Sequence, residues 1–187
     1  MRYLFAILLL ISLPAAATPK DEVHAAYTRF LAMKSFKASN DSTYGKDKTS
    51  SSVEFVMPDR YRVTNSGRPP SVIIGNSMYI DMDGHMMKIP MPGLKNMIGQ
   101  YRNPEIMKEL QGDVVVESLG TETLNGKPTK KYRYSMTKPQ ASTNMMWVGA
   151  NGDILQIDSS GTMNKKAYHT VIQYSQYNNA TIKIDAP

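Results

Sequence analysis

Met82, His85, Met86, Met87 and Met91 crowd into one short stretch, SMYIDMDGHMMKIPMPG, between Ser77 and Gly93. Thioether sulfur is a soft ligand suited to Cu(I), and a neighbouring imidazole adds a second common metal donor. Copper binding is therefore one reading of the segment. Against it, adjacent residues of a regular strand point to opposite faces, so Met86 and Met87 cannot both reach one ion. The chain's 14 methionines also spread well beyond this stretch, from Met57 through Met107 and Met136 to Met163. That distribution suits an adaptable apolar interior.

Other reactive groupings are sparse. His24, His85 and His169 are widely separated, and the residue four positions after His24 is Thr28, so the two-histidine helical zinc motif is absent. Ile74-Gly75-Asn76-Ser77-Met78 contains a serine without the G-x-S-x-G pattern, and Ser159-Ser160-Gly161 reads as a turn. Asp81 and Asp83 are close, but they flank a hairpin turn, which explains them better than acid/base work. Cysteine is absent, which removes disulfides, thiolate chemistry and an anchoring lipid-modified cysteine. No catalytic set, cofactor or metal is expected, and the chain reads as a binder or carrier, not an enzyme.

The elements that must position any site begin with a helix. Thr18-Pro19-Lys20-Asp21 has a capping residue, a proline at the first helical position and a carboxylate three residues after the cap. Val23, Ala26, Tyr27, Phe30 and Leu31 then recur at helical spacing. Strand patterns follow: Phe36 to Tyr44, Ser51 to Met57, Arg60 to Asn65, Ser71 to Ile74, Ser77 to Met82 and His85 to Ile89. Further strands are expected at Val114 to Leu124, Thr129 to Thr137, Asn144 to Val148, Asp153 to Asp158, Ala167 to Ser175 and Thr181 to Ile184. Asp83-Gly84, Asn125-Gly126 and Asn151-Gly152 mark tight turns, and Lys46 to Ser52 reads as a polar loop. The meander is interrupted once, by helical spacing of Leu94, Met97, Ile98 and Tyr101 and a restart at Asn103-Pro104-Glu105 that ends at Gly112. These pieces have apolar faces that the sheet must cover, so they read as a lid.

Arg2, the apolar run Tyr3 to Leu13 and the small residues Ala15, Ala16 and Ala17 read as a secretory signal, residues 1–17, leaving one domain over 18–187. The apolar run falls short of the roughly 20 residues that span a bilayer. Net charge is +6 with scattered Lys and Arg. Without a basic stripe or a base-stacking aromatic array, nucleic acid is not an expected partner.

In this order, MKSFKASNDSTYG, SSVEFVMPDRYRVT, SVIIGNSMYIDMDGHMMKIP, a helical interruption, NGDILQIDSSG and YHTVIQYSQYNNATIKIDAP resemble the LolA-like periplasmic lipoprotein-carrier family over nearly all of the chain after the signal. The resemblance implies a mainly β fold: a curved antiparallel sheet forming an incomplete barrel, with an N-terminal helix and a central helical lid on its concave face. It implies acyl chains of lipids or lipoproteins as cargo, an envelope membrane protein as partner, the periplasm as location, and a monomer. One position departs from the family: the arginine that latches the lid, directly before a strand-ending proline, is here Met57 before Pro58. The latch is therefore not carried over, and a lipid sensor or glycolipid carrier fits the resemblance as well as a lipoprotein shuttle.

The expected cavity lining draws on Phe55, Met57 and Tyr61 from the early strands, and on Met78, Ile80, Met82 and Met87 from the methionine-rich hairpin. Alternation favours Met78, Ile80 and Met82 facing inward, with Tyr79 and Asp81 outward. Met146 and Trp147 are expected from a late strand, and Leu94, Met97, Ile98 and Tyr101 from the lid. The rival readings are the copper-binding envelope protein and a protein-binding regulatory module of the cell envelope.

Overall fold

The structure, a computed structural model, describes residues 17–93, 105–137 and 141–187. Residues 1–16 of the expected signal segment and the expected helix carrying Leu94, Met97, Ile98 and Tyr101 lie outside the described residues.

Helix α1 spans Pro19–Leu31. Thr18 Oγ1 accepts a hydrogen bond from the Asp21 backbone N–H, and the Asp21 carboxylate accepts from the Thr18 backbone N–H at 3.1 Å, closing the expected capping box. The bonds from Thr18 also hold the Asp21 carboxyl below the usual aspartate range. Val23, Ala26, Tyr27 and Phe30 form the buried stripe.

Eleven strands follow: β1 (Ser35–Tyr44), β2 (Asp47–Val56), β3 (Arg60–Asn65), β4 (Ser71–Ile74), β5 (Ser77–Met82), β6 (His85–Pro90), β7 (Val116–Leu124), β8 (Lys127–Met136), β9 (Ser142–Gly149), β10 (Ile154–Met163) and β11 (Lys166–Ser175). Helix α2 (Glu105–Gln111) precedes β7. The strands form one antiparallel sheet in the order β6-β5-β4-β3-β2-β1-β11-β10-β9-β8-β7. Two meanders are thus joined where the first strand pairs with the last, from Lys37 opposite Ser175 to Tyr44 opposite Tyr168. The sheet curves without closing, and β6 and β7 remain as edges. The chain between these two edges is the one that carries α2. Helices α1 and α2 pack on the concave face, where Leu110 of α2 joins Val23, Tyr27 and Phe30 in one core with the inward residues of the strands.

Three local expectations are corrected. Residues 47–52, expected as part of a loop, belong to β2, because β1 supplies a full ladder from Asp41 opposite Ser50 to Tyr44 opposite Asp47. Ser159-Ser160-Gly161 lies inside β10 and is not a turn. Glycine is needed there for close approach, since a Cβ at Gly161 would fall 2.5 Å from the Ala141 carbonyl oxygen and 2.8 Å from the Tyr168 ring. Thr181 to Ile184 is not a strand. Its alternating pattern does reflect one-sided burial of Ile182 and Ile184, but guanidinium groups partner the backbone: Arg60 Nη1 donates to the Ile184 carbonyl at 2.7 Å and Arg62 Nη2 to that of Lys183 at 2.9 Å.

Two of the expected turns have both central residues at positive φ, Asp83-Gly84 and Asn125-Gly126, as a two-residue hairpin demands. At Asn151-Gly152 only the glycine does, because Asn151 caps the loop through its side chain, accepting from the Asp153 N–H and donating to the Asp153 carboxylate.

Candidate ligand-binding face

Residues directly opposite one another in an antiparallel sheet share a face, so the registers trace rows of side chains across the strands. One row on the concave face runs Phe36, Phe55, Tyr61, Ile73, Met78 and Ile89 through β1 to β6. The ring centroids of Phe36 and Phe55, and of Phe55 and Tyr61, lie 5.0 Å apart. The next row runs Ala38, Val53, Val63, Ser71, Ile80 and Met87. At the tip of the last hairpin Met82 stands opposite His85 on the same face.

Burial decreases along these rows toward the β6 edge. Phe55 and Tyr61 are buried in the core, where Phe55 packs on Phe36 and Tyr61 on Phe55, and Met78 is partly buried against it. Ile80 is half-buried, while Met87 is 47% and Met82 53% exposed. The concave face is therefore mainly apolar along these strands and, among the described residues, is more deeply buried toward β1 than toward the β6 edge. Tyr79 and Asp81 belong to the convex face, with Tyr79 opposite Lys88, whose ammonium lies 5.8 Å from the ring centroid. Met86, opposite Asp81, also points that way. The soft ligands of the hairpin are thus divided, with Met82, His85 and Met87 on one face and Met86 on the other. Among the described residues no group of three or more His, Asp or Glu side chains is placed to hold a metal ion.

The remaining expected residues are separated by alternation. Met146 is fully buried on the concave face, between Tyr132 of β8 and Ile157 of β10. Trp147 points to the opposite face, where it is covered by Lys131, 4.6 Å above its ring, and donates from Nε1 to the Glu122 carboxylate. That bond, ahead of the one from Lys131, lowers the pKa of Glu122. Met57 lies just past the end of β2, 43% exposed. Arg60 and Arg62, which follow the expected latch position in sequence, hold the C-terminal segment on the convex side, with Arg62 also 2.5 Å from Glu54.

The concave face of the second meander adds residues that lie outside the expected lining. Tyr132, Tyr134 and Met136 alternate along β8 and are all buried, a period-two signal present in KKYRYSM. Irregular register at Leu155 lets Ile154 and Ile157 both face inward although they are three residues apart. Inside this apolar interior the Tyr27 hydroxyl of α1 meets the Tyr134 hydroxyl at 3.0 Å, and burial pushes both phenols upward in pKa.

A groove of about 440 Å³ separates α1 from β8 and β9, with walls that include Ala26, Pro128 and Val148. Its rim is polar. Glu22 accepts from Lys130 Nζ at 2.5 Å and from the Tyr132 hydroxyl, and these two bonds hold its carboxyl below the usual glutamate range. Arg29 Nε donates to Asp153 at 2.6 Å nearby. A second open space of about 850 Å³ lies between the end of α2 and the β7 edge, lined by Glu109, Val114, Arg133 and Tyr134 among others.

No family model and no curated protein matches the sequence. Solved structures do. The Mycobacterium tuberculosis lipoprotein LppX aligns at 12% identity over 89% of this chain and 98% of its own, with a TM-score of 0.60. LprF from Mycobacterium bovis aligns at 10% identity over 90% and 96%, with a TM-score of 0.64. MucB in the Pseudomonas aeruginosa MucA/MucB complex aligns at 12% identity over 91% of this chain and 62% of its own, with a TM-score of 0.53. At such identities the likeness is one of fold. An open curved antiparallel sheet with its helices on the concave side, shared nearly end to end with LppX and LprF and with about three fifths of MucB, is the LolA-like fold.

Proposed function

We propose that this chain is an exported, non-enzymatic carrier or sensor that holds acyl chains of lipids or lipoproteins on the concave face of its sheet. In this reading residues 1–17 are removed on export and 18–187 act in the periplasm as one domain. The observation that carries it is the gradient along the concave rows: Phe55 and Tyr61 are buried in the core, whereas Ile80, Met82 and Met87 continue the same row pattern into the open. Exposed apolar surface of this kind marks a place where something greasy docks, and methionine repacks readily around irregular guests. Leu94, Met97, Ile98 and Tyr101 would close over that surface, and Phe55, Tyr61 and Met146 would form its floor. Met57 stands at its margin, and Trp147 acts from behind, by fixing β8 and β9.

Burial of an acyl chain is worth about 25 cal/mol per Å² of apolar area, reduced by the cost of ordering it. The test is native mass spectrometry of the protein purified with and without detergent, together with titration of a fluorescent fatty acid. A co-purifying lipid and saturable uptake are expected; absence of both would sink the proposal.

The protein-binding reading draws on MucB, a neighbour whose structure was solved in complex with MucA. It would show a retained protein partner and no lipid. Cu(I) competition against a weak chelator addresses the copper reading, which requires Met82, His85 and Met87 to act without Met86.

A further inference from the structure

Four lysines from distant parts of the sequence meet at one end of the molecule. Lys46 lies in the β1–β2 turn and Lys48 just inside β2, while Lys165 lies in the β10–β11 turn and Lys166 opens β11. The pairing of β1 with β11 sets these turns side by side: the Gly45 N–H donates to the Ala167 carbonyl at 2.9 Å, and the Tyr44 hydroxyl to the Met163 carbonyl at 3.1 Å. Lys166 Nζ lies 5.3 Å from the centroid of the Tyr44 ring.

The two hairpins project beyond the rest of the sheet. Strand β3 pairs with β2 only from Ser51 inward, and β9 with β10 only as far as Gly161. All four lysines are exposed, and so is Met163, at 41%. Asp47, the first residue of β2, is the one carboxylate among residues 45–48 and 163–166, and the nearby Asp41 accepts from Ser50 Oγ at 2.5 Å. The tip therefore presents a concentrated positive charge around a small apolar point.

We propose that this two-hairpin tip docks on an anionic lipid surface. Exposed lysines on two projecting hairpins suit a membrane of anionic headgroups, which needs only charge, with Met163 able to enter the interface. Clustered lysines near such a surface add their attractions, each worth roughly fivefold in binding at moderate ionic strength, and the effect fades within a Debye length of about 8–10 Å. The tip is separated from the Met82 and Met87 surface across the sheet, with β3 and β4 lying between β2 and β5, so docking stands whether or not the concave face carries cargo.

The test is co-sedimentation of the full chain with phosphatidylglycerol-containing vesicles and with pure phosphatidylcholine vesicles, at low and high salt. Binding only to the anionic vesicles, released by salt, is expected. K46S/K48S and K165S/K166S should each weaken it by about 10–30-fold, and the quadruple variant by about two to three orders of magnitude. Equal binding to both vesicle types, no binding at low salt, or unchanged binding of both folded double variants would overturn the proposal. So would a loss confined to one hairpin, because the surface is formed by both. Circular dichroism establishes that each variant is folded.

Discussion

The hydroxyls of Tyr27 and Tyr134 face each other at 3.0 Å inside the apolar interior, one from α1 and one from β8. One hydroxyl donates to the other in the buried interior, and the bond ties α1 to β8. Replacing one partner leaves a buried hydroxyl unpaired, which costs about 1–3 kcal/mol, whereas replacing both leaves matched apolar edges. Tyr27→Phe and Tyr134→Phe should each lower the urea unfolding midpoint, and the double variant should recover part of the loss. A double variant that merely sums the two losses would show that the pair is not coupled.

Acid sensitivity is expected at the rim of the α1 groove. The Glu22 carboxylate is held below its ordinary pKa of 4.5 by its bonds from Lys130 and Tyr132. A depressed folded-state pKa contributes stability that is present above the unfolded value and is lost as pH falls through the folded one. Stability should therefore decline below about pH 4.5, and Glu22→Gln should flatten that limb by about 0.5–1 kcal/mol, as suits a partly exposed ion pair. Unfolding curves at pH 3.5 and 6.5 check this; parallel declines in both proteins would remove Glu22 from the account.

Methionines on the same face should differ in what they do. Met146→Ala opens a cavity in a closed part of the core and should cost about 2–5 kcal/mol. Met82→Ser with Met87→Ser alters exposed positions and should leave stability within about 0.5 kcal/mol. Fatty-acid uptake by that double variant should nonetheless fall about tenfold, since an acyl chain could no longer bury its surface against the two half-exposed thioether side chains. Unchanged uptake would place the cargo elsewhere.

Arg60 and Arg62 tie the C-terminal segment to the convex side through the Ile184 and Lys183 carbonyls. Alanine at both positions should free residues 181–187 while leaving the sheet intact. Hydrogen exchange and limited proteolysis should therefore show early loss of protection at Ile182 and Ile184 with strand protection retained. Unchanged protection of this segment would mean that burial of the two isoleucines suffices to hold it.

Much of the architecture is carried by local patterns. The capping box at Thr18, the strands Arg60–Asn65, Ser71–Ile74 and Ser77–Met82, and the Asp83-Gly84 turn are legible because each depends on residues close in sequence. Period-two alternation by itself also separates Met78, Ile80 and Met82 from Tyr79 and Asp81. Local pattern fails where a distant partner decides the outcome. The polar run at residues 47–52 is strand because β1 offers it a ladder, and Gly161 serves close approach because Tyr168 lies across it.

The sequence by itself determined the all-antiparallel grammar, the apolar stripe of α1 and the inward set of the methionine-rich hairpin, since helical and strand periodicities are properties of neighbouring residues. Only the tertiary structure decided that the first and last strands pair, that Trp147 turns away from Met146, and that Tyr27 finds Tyr134. It also decided that four scattered lysines share one tip. These are relationships between residues far apart along the chain, set by strand pairing and by packing of α1 on the sheet, which no local period encodes.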